Sequence, residues 1–320
     1  MVTVTRANGI TSNDVWTVRH AMTLFGRLRR LTMMFLLAGA AASAVYAQAP
    51  VTLMHVHGLS YSSDGKRLMI PSHHGLAVYE NGTWSKAPGP QHDYMGFSAT
   101  AKDLYSSGHP APGSGLVNPF GVIRSSDDGK TWQKLGLEGE TDFHLLATSW
   151  NANANYVWNP APSSRIKRPG LHSTMNEGFS WKPARAAGLE GDPRALAVHP
   201  DDSAIVAVAT SKGVFASRDS GETFRRIATG DGTAVFFDLD GNRLWFGTFD
   251  GQARLARADL GGTEIQQVTI PALQKDAVAY VAQNPLNRSE YAIASFQRGV
   301  FLTKDAGRTW TPIAERGETR

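Results

Sequence analysis

An eight-residue pattern that returns along the chain constrains its fold more than any other feature. Ser125-Ser126-Asp127-Asp128-Gly129-Lys130-Thr131-Trp132 recurs as Ser217-Arg218-Asp219-Ser220-Gly221-Glu222-Thr223-Phe224 and as Thr303-Lys304-Asp305-Ala306-Gly307-Arg308-Thr309-Trp310. A weaker copy is Thr174-Met175-Asn176-Glu177-Gly178-Phe179-Ser180-Trp181. The first positions are 49, 43 and 86 residues apart, and 86 is twice 43, so a worn copy is expected near Arg257 to Gln267. Another worn copy, Asn81-Gly82-Thr83-Trp84, lies 48 residues before Trp132. Six units of about 45 residues then account for nearly all of the chain after residue 47, the signature of a radial or stacked repeat.

Inside a unit the strands follow from alternation and turn residues. Unit four reads as a strand Arg194 to Val198, a turn His199 to Ser203, a strand Ile205 to Ala209, a bend Ser211 to Gly213, a strand Val214 to Ser217, the repeated pattern, and a strand Thr223 to Ile227. Four short antiparallel strands repeated six times predict an all-β chain folded as a six-bladed β-propeller, each pattern bridging strands three and four of a blade. A seventh blade needs a worn copy for which little chain remains. The first unit starts with its inner strand and the last ends with its outer one, so closure is expected from packing of blade one on blade six, without a shared blade.

The pattern S/T-x-D-x-G-x-T-W resembles the Asp-box, or BNR repeat, of sialidases, sortilin-type domains and exported bacterial propellers often named glycosyl hydrolase-like. That resemblance implies a structural role for Asp127, Asn176, Asp219 and Asp305: the carboxylate accepts bonds from its own turn, Gly takes the unusual dihedrals and the aromatic is buried between sheets. It implies no reaction. Sialidases are similar to one another in an Arg triad, a Tyr–Glu nucleophile pair, an acidic Asp and a Phe/Tyr-Arg-Ile-Pro segment before the first box. Here the only similar string, Phe224-Arg225-Arg226-Ile227, follows the third box, and Arg194 is the one natural rim arginine. Sialidase-type catalysis is therefore not expected. Any glycoside hydrolase chemistry would draw on Asp93, Asp142, Asp192 and Asp276, with Asp142 and Asp192 the foremost pair.

Charge directs the chain outward and away from nucleic acid. The formal charge of +4 lies in residues 1–47, which hold Arg6, Arg19, Arg27, Arg29 and Arg30 against Asp14, leaving 27 positive and 27 negative groups in the remainder. A neutral body offers no clustered cationic face for nucleic acid. Arg27, Arg29 and Arg30 precede the apolar run Leu31 to Val45, and Val45-x-Ala47 suits signal peptidase cleavage before Gln48. Residues 1–21 ahead of this signal read as an over-long extension, with Met22 an alternative start. The expected product is a single propeller domain, residues 48–320, exported to the periplasm or outside the cell and without a stable membrane span. There is no cysteine and hence no disulfide framework.

The candidate site lies in the histidines. After residue 47 there are nine, and seven precede residue 145: His55, His57, His73, His74, His92, His109 and His144. In a four-stranded blade the start of the inner strand and the bend between strands two and three share one face beside the axis. Inner-strand starts here read His55-Val56-His57, Asp93-Tyr94-Met95, Asp142-Phe143-His144 and Asp192-Pro193-Arg194, and the bends carry His73, His74 and His109. All seven histidines map to that face. Neutral imidazoles with a thioether form a copper set, or a zinc set if Met95 is excluded. The metal ligands expected are His55, His57, His73, His109, His144 and Met95, within a rim that adds His74, His92, Asp93, Asp142, Asp192 and Arg194. His172 and His199 are expected to be structural, and Met54 and Met69 to lie in the core. Two long loops on this face, Pro110 to Pro119 and Asn159 to Gly170, are placed to cover or extend it, and Arg165, Lys167 and Arg168 make the second basic. The expected partner is a metal ion or small polar ligand, with another exported protein as a further one. A peptide-binding assembly scaffold is the remaining alternative.

Overall fold

A computed structural model describes residues 51–320, so the calls on residues 1–47 lie outside the described residues. The described chain forms six antiparallel sheets. Blade one comprises β1 (Ser60–Tyr61), β2 (Arg67–Ser72), β3 (Gly75–Glu80) and β4 (Thr83–Lys86); blade two β5 (Asp93–Ala99), β6 (Leu104–His109), β7 (Val122–Ser125) and β8 (Gln133–Gly136). Blade three comprises β9 (Leu146–Thr148), β10 (Asn155–Asn159), β11 (Gly170–Thr174) and β12 (Lys182–Pro183); blade four β13 (Pro193–Val198), β14 (Val206–Thr210), β15 (Gly213–Ser217) and β16 (Arg225–Ala228). Blade five comprises β17 (Asp231–Phe237), β18 (Arg243–Phe249), β19 (Ala253–Asp259) and β20 (Ile265–Val268); blade six β21 (Val278–Gln283), β22 (Tyr291–Ser295), β23 (Val300–Thr303), β24 (Thr311–Glu315) and β25 (Glu318–Thr319). This is the expected six-bladed β-propeller, with no helix among the described residues.

Period-two alternation explains why the blades form a ring. On β14, Val206 and Val208 pack toward blade three, whereas Ala207 and Ala209 pack toward blade five. On β2, Leu68 and Ile70 face blade six and Met69 faces blade two. Both faces of a blade are thus buried, which is why these middle strands are apolar throughout. Each of the six core clusters is shared by two consecutive blades, the last joining blade six to blade one.

The repeated turns lock each outer hairpin. In the first, the Ser125 hydroxyl donates to Asp127 Oδ1 at 2.8 Å and accepts from Gly129 N–H at 2.8 Å, while Thr131 donates its N–H and O–H to the two Asp127 oxygens at 2.9 and 2.7 Å. The same set holds Asp219 and Asp305, and Asn176 forms a matching set with Ser180. The glycine is required twice over: at Gly129 φ is 84°, and a Cβ would come 2.5 Å from Leu76 of the preceding blade. The worn copy near Arg257 is a turn of the same kind, for Asp259 accepts from Thr263 N–H and O–H at 2.7 and 2.9 Å. The copy in blade one is different. Asn81 and Gly82 (φ 50° and 80°) form a two-residue hairpin turn, which needs no carboxylate because the Glu80–Thr83 pair closes it.

Two expectations are corrected by the ring closure. The sixth sheet carries a fifth strand, β25, to which Thr52 bridges through Glu318, and Leu53 N–H donates to Gly317 C=O at 2.8 Å. The N-terminal segment therefore hydrogen-bonds to the last blade's outer edge, in addition to the packing, and Trp84 Nε1–H seals the seam on Ile313 C=O at 3.0 Å. This pairing sets the alternation of residues 51–54. Val51 and Leu53 point inward, so Met54 points out and is 47% exposed, whereas Met69 is in the core as expected.

Candidate metal centre

The six inner strands line an axial cavity of about 150 Å³ with His57 and His144 among its lining residues. That volume suits a few waters and not a sugar chain. His55 and His57 lie ahead of β1, two residues apart, and His73 sits in the two-residue bend between β2 and β3. Their rings converge: His55 to His73 is 4.1 Å between centroids, His57 to His73 is 5.1 Å, and His55 and His57 are stacked at 5.5 Å. One nitrogen from each imidazole falls within 4.8 Å of the other two, so the three form a group able to hold a metal ion.

Asp93, at the start of β5, orients this group. Its Oδ2 lies 2.9 Å from His73 Nδ1, the contact by which a carboxylate commonly supports a metal-binding imidazole from behind. Its Oδ1 lies 3.7 Å from His57 Nε2, too far for a hydrogen bond, and both atoms are buried with no other partner. Burial, reinforced by the neighbouring His73, His55 and His144, outweighs the attraction of Asp93 and lowers the His57 pKa to about 4. Burial and the charges of His73 and Arg298 also lower His55. The His57 ring is therefore neutral at neutral pH, the form a metal requires.

A second focus lies nearby. Asp142 Oδ2 is 2.7 Å from His144 Nε2 and 3.2 Å from His109 Nε2. Burial alone would raise the Asp142 carboxyl, but the bond from His144 and the charges of His144 and His109 hold it below its ordinary value. The same bond raises His144. His109 Nδ1 is 2.7 Å from Asn118 Oδ1, in the first long loop.

The other rim residues are placed differently. His74 is exposed at the bend beside His73. His92 is 6% exposed, packs on Tyr94 and Phe120, and accepts from Ala111 N–H through Nδ1 at 2.9 Å, so it props the first loop from inside. Met95 is buried on β5, at the edge of a register shift between Met95 and Ser98. Asp192 is exposed, its N–H bonded to Ser211 Oγ, and Arg194 is paired with Asp231 at 2.7 Å. Asp276 accepts from Ala277 and Gln297 N–H. The basic loop is docked: Arg165 donates to Leu135 and Gly178 carbonyls and Ile166 is 1% exposed. His172 and His199 are buried and bonded to Gly170 and Gly241 carbonyls. Sequence reasoning missed Asn118 and Arg298, which donates to Met54 C=O at 3.3 Å beside His55. Both lie in long loops or bends of the histidine face, the only signal that marked them.

No protein-family model matches the sequence and no curated protein matches it. Solved structures share its fold. The GH74 enzyme of Niastella koreensis matches with a TM-score of 0.56 and 15% identity over 83% of this chain and 46% of that one. The GH74 xyloglucanase from Xanthomonas campestris matches at 0.52 and 13%, over 83% and 46%. An extracellular domain assigned to a one-component system of B. thetaiotaomicron matches at 0.51 and 13%, over 83% and 34%. The chain spans less than half the length of each. At these identities the likeness is one of β-propeller fold and says nothing of activity.

Proposed function

We propose that this chain is an exported Asp-box propeller that binds a transition metal ion, copper or zinc, through His55, His57 and His73, in a non-catalytic role of metal handling or assembly of another exported protein. The observation that carries the reading is the convergence of three imidazoles, one nitrogen of each within 4.8 Å of the other two, with His57 held neutral by burial and Asp93 at 2.9 Å from His73. Three nitrogen ligands suit Cu(I), Cu(II) and Zn(II) alike. Export rests on the signal-like segment in residues 1–47, and the Asp-box assignment on the four matching turns. Glycoside hydrolysis is the lesser reading: Asp93 and Asp142 are engaged by histidines, and Asp276 by its own bend. Calorimetric titration of the purified protein with Cu(I), Cu(II) and Zn(II), repeated after changing His55, His57 and His73 to Ala, tests the proposal. Stoichiometric binding lost in the triple variant is expected. Absence of binding by the parent, or equal binding by the variant, sinks it.

A further inference from the structure

After residue 47 the chain contains one Asn–Gly step, Asn81-Gly82, and it falls at the tip of the β3–β4 hairpin of blade one. We propose that Asn81 is a site of spontaneous covalent modification, deamidating through a cyclic imide formed with the Gly82 nitrogen, and that the product loosens the seam closing the ring. The proposal does not depend on the metal reading.

Both residues are exposed, at φ 50° and 80°, and a Cβ built on Gly82 would meet nothing within 4 Å. The ladder ends at the Glu80–Thr83 pair, and among the described residues neither the Asn81 side chain nor the Gly82 N–H has a hydrogen-bond partner. The Asp-box turns are guarded where this one is open. Their glycines donate N–H to the first residue of the box: Gly129 to Ser125 Oγ at 2.8 Å, Gly221 to Ser217 Oγ at 2.9 Å, and Gly178 and Gly307 to threonine hydroxyls at 3.0 Å. Other asparagines lack a suitable neighbour. Asn118, Asn159 and Asn284 precede prolines, which have no N–H, and the exposed Asn242 and Asn287 precede arginines, whose side chains crowd the nitrogen.

The reaction needs only water. The Gly82 nitrogen, giving up its hydrogen to solvent base, bonds to Asn81 Cγ; the bond from Cγ to the side-chain nitrogen breaks, and that nitrogen takes up a proton and leaves as ammonia. Water then opens the five-membered imide at either carbonyl. One opening leaves aspartate at position 81; the other leaves isoaspartate, whose main chain runs through Cβ and Cγ and is one carbon longer. Ring closure takes a rotation about the Asn81 Cα–C bond, which the open space around the tip permits. A two-residue turn cannot absorb an extra main-chain carbon, so isoaspartate displaces the Glu80–Thr83 pair and the Tyr79–Trp84 pair behind it. Trp84 is 7% exposed, packs on Tyr79 with ring centroids 5.2 Å apart, and donates to Ile313 C=O across the closure. A chemical change at an exposed tip thus reaches the buried contact that joins blade one to blade six.

Incubation of the full chain in warm, mildly alkaline buffer, followed over time by peptide mapping with mass spectrometry, tests the proposal. The peptide holding Asn81 should gain the mass of an amide NH2 exchanged for OH, ahead of the peptides holding Asn242 and Asn287. The rate should rise with pH, because the attacking nitrogen must lose its proton. Isoaspartate in that peptide should accept a labelled methyl group from S-adenosylmethionine through an isoaspartyl methyltransferase. Asn81→Gly keeps the turn, since glycine accepts the same positive φ, and removes the amide; its hairpin peptide should stay unchanged. Aged parent should unfold at lower denaturant than fresh parent, with faster hydrogen exchange in β4 and β24, while aged Asn81→Gly matches its fresh form. Conversion at Asn81 no faster than at Asn242 and Asn287 would overturn the assignment. An aged parent whose stability changes no more than that of aged Asn81→Gly would overturn the link to the closure.

Discussion

Acidification distinguishes His57 from an ordinary surface histidine. Its side chain is 18% exposed and sits among His55 and His73 rings at 5.5 and 5.1 Å, and burial with these neighbours moves its pKa from 6.5 to about 4. At about pH 5 an ordinary imidazole is protonated roughly 30 to 1, so a metal must displace that proton and loses about 30-fold in affinity. His57 is still about nine-tenths neutral there and costs the metal almost nothing. Stability follows the opposite course. The folded pKa lies below the unfolded one, so the unfolded chain takes the proton first; stability is full above 6.5 and falls as pH drops toward 4. The shift sets a ceiling of about 3 kcal/mol, which solvent access reduces to about 1 kcal/mol. Imidazole resonances of the metal-free protein, followed by NMR from about pH 8 to pH 4 and assigned with His57→Gln, give the answer. The resonance missing in His57→Gln should stay at its neutral position through about pH 5. A midpoint for it near 6.5 would refute the argument from burial.

Other consequences concern the scaffold. Asp219→Ala removes an acceptor of three hydrogen bonds, two from Thr223 and one from Ser217, and should cost about 1–2 kcal/mol in denaturant unfolding, with the metal stoichiometry unchanged. Asp238 is buried between Trp245 Nε1–H and Tyr291 O–H, and burial raises its carboxyl to about 6, so it weakens the fold as pH rises from 3.8 through 6. Asp238→Asn should flatten that decline and unfold at higher denaturant than the parent at about pH 8, by about 1–2 kcal/mol; an unchanged pH profile would count against a charged, buried Asp238. Trp84→Phe deletes the bond to Ile313 across the closure and should lower stability by about 1 kcal/mol, with hydrogen exchange rising in β24 and β25. Exchange confined to other blades would contradict the closure described.

The repeats made the fold legible because each copy states the same local chemistry: an acceptor at the third position, a Gly at the fifth, an aromatic at the eighth. Asp259 shows how far that reaches, since its turn survives without the flanking Ser and Trp. The site was legible as a face but not as a geometry. Inner strands β5, β13, β17 and β21 carry register shifts near their starts, and one displaced residue turns a side chain to the other side of the sheet. Sequence equivalence of His57, Met95 and His144 therefore does not fix where their side chains meet. Nor does the chain announce that His92 is held inside by Ala111, because that bond joins a rim residue to an irregular loop. Met54 escaped for a related reason: its direction is set by pairing of residues 51–54 with a tail more than 260 residues away.

X-ray absorption at the zinc edge, on protein loaded with one equivalent of Zn(II), tests the claim of a histidine metal centre most directly. The account predicts a nitrogen-dominated first shell at about 2.0 Å with imidazole outer-shell scattering, altered in His55→Ala/His57→Ala/His73→Ala. A shell of oxygen alone, without imidazole scattering, or one indifferent to that triple substitution, would contradict it.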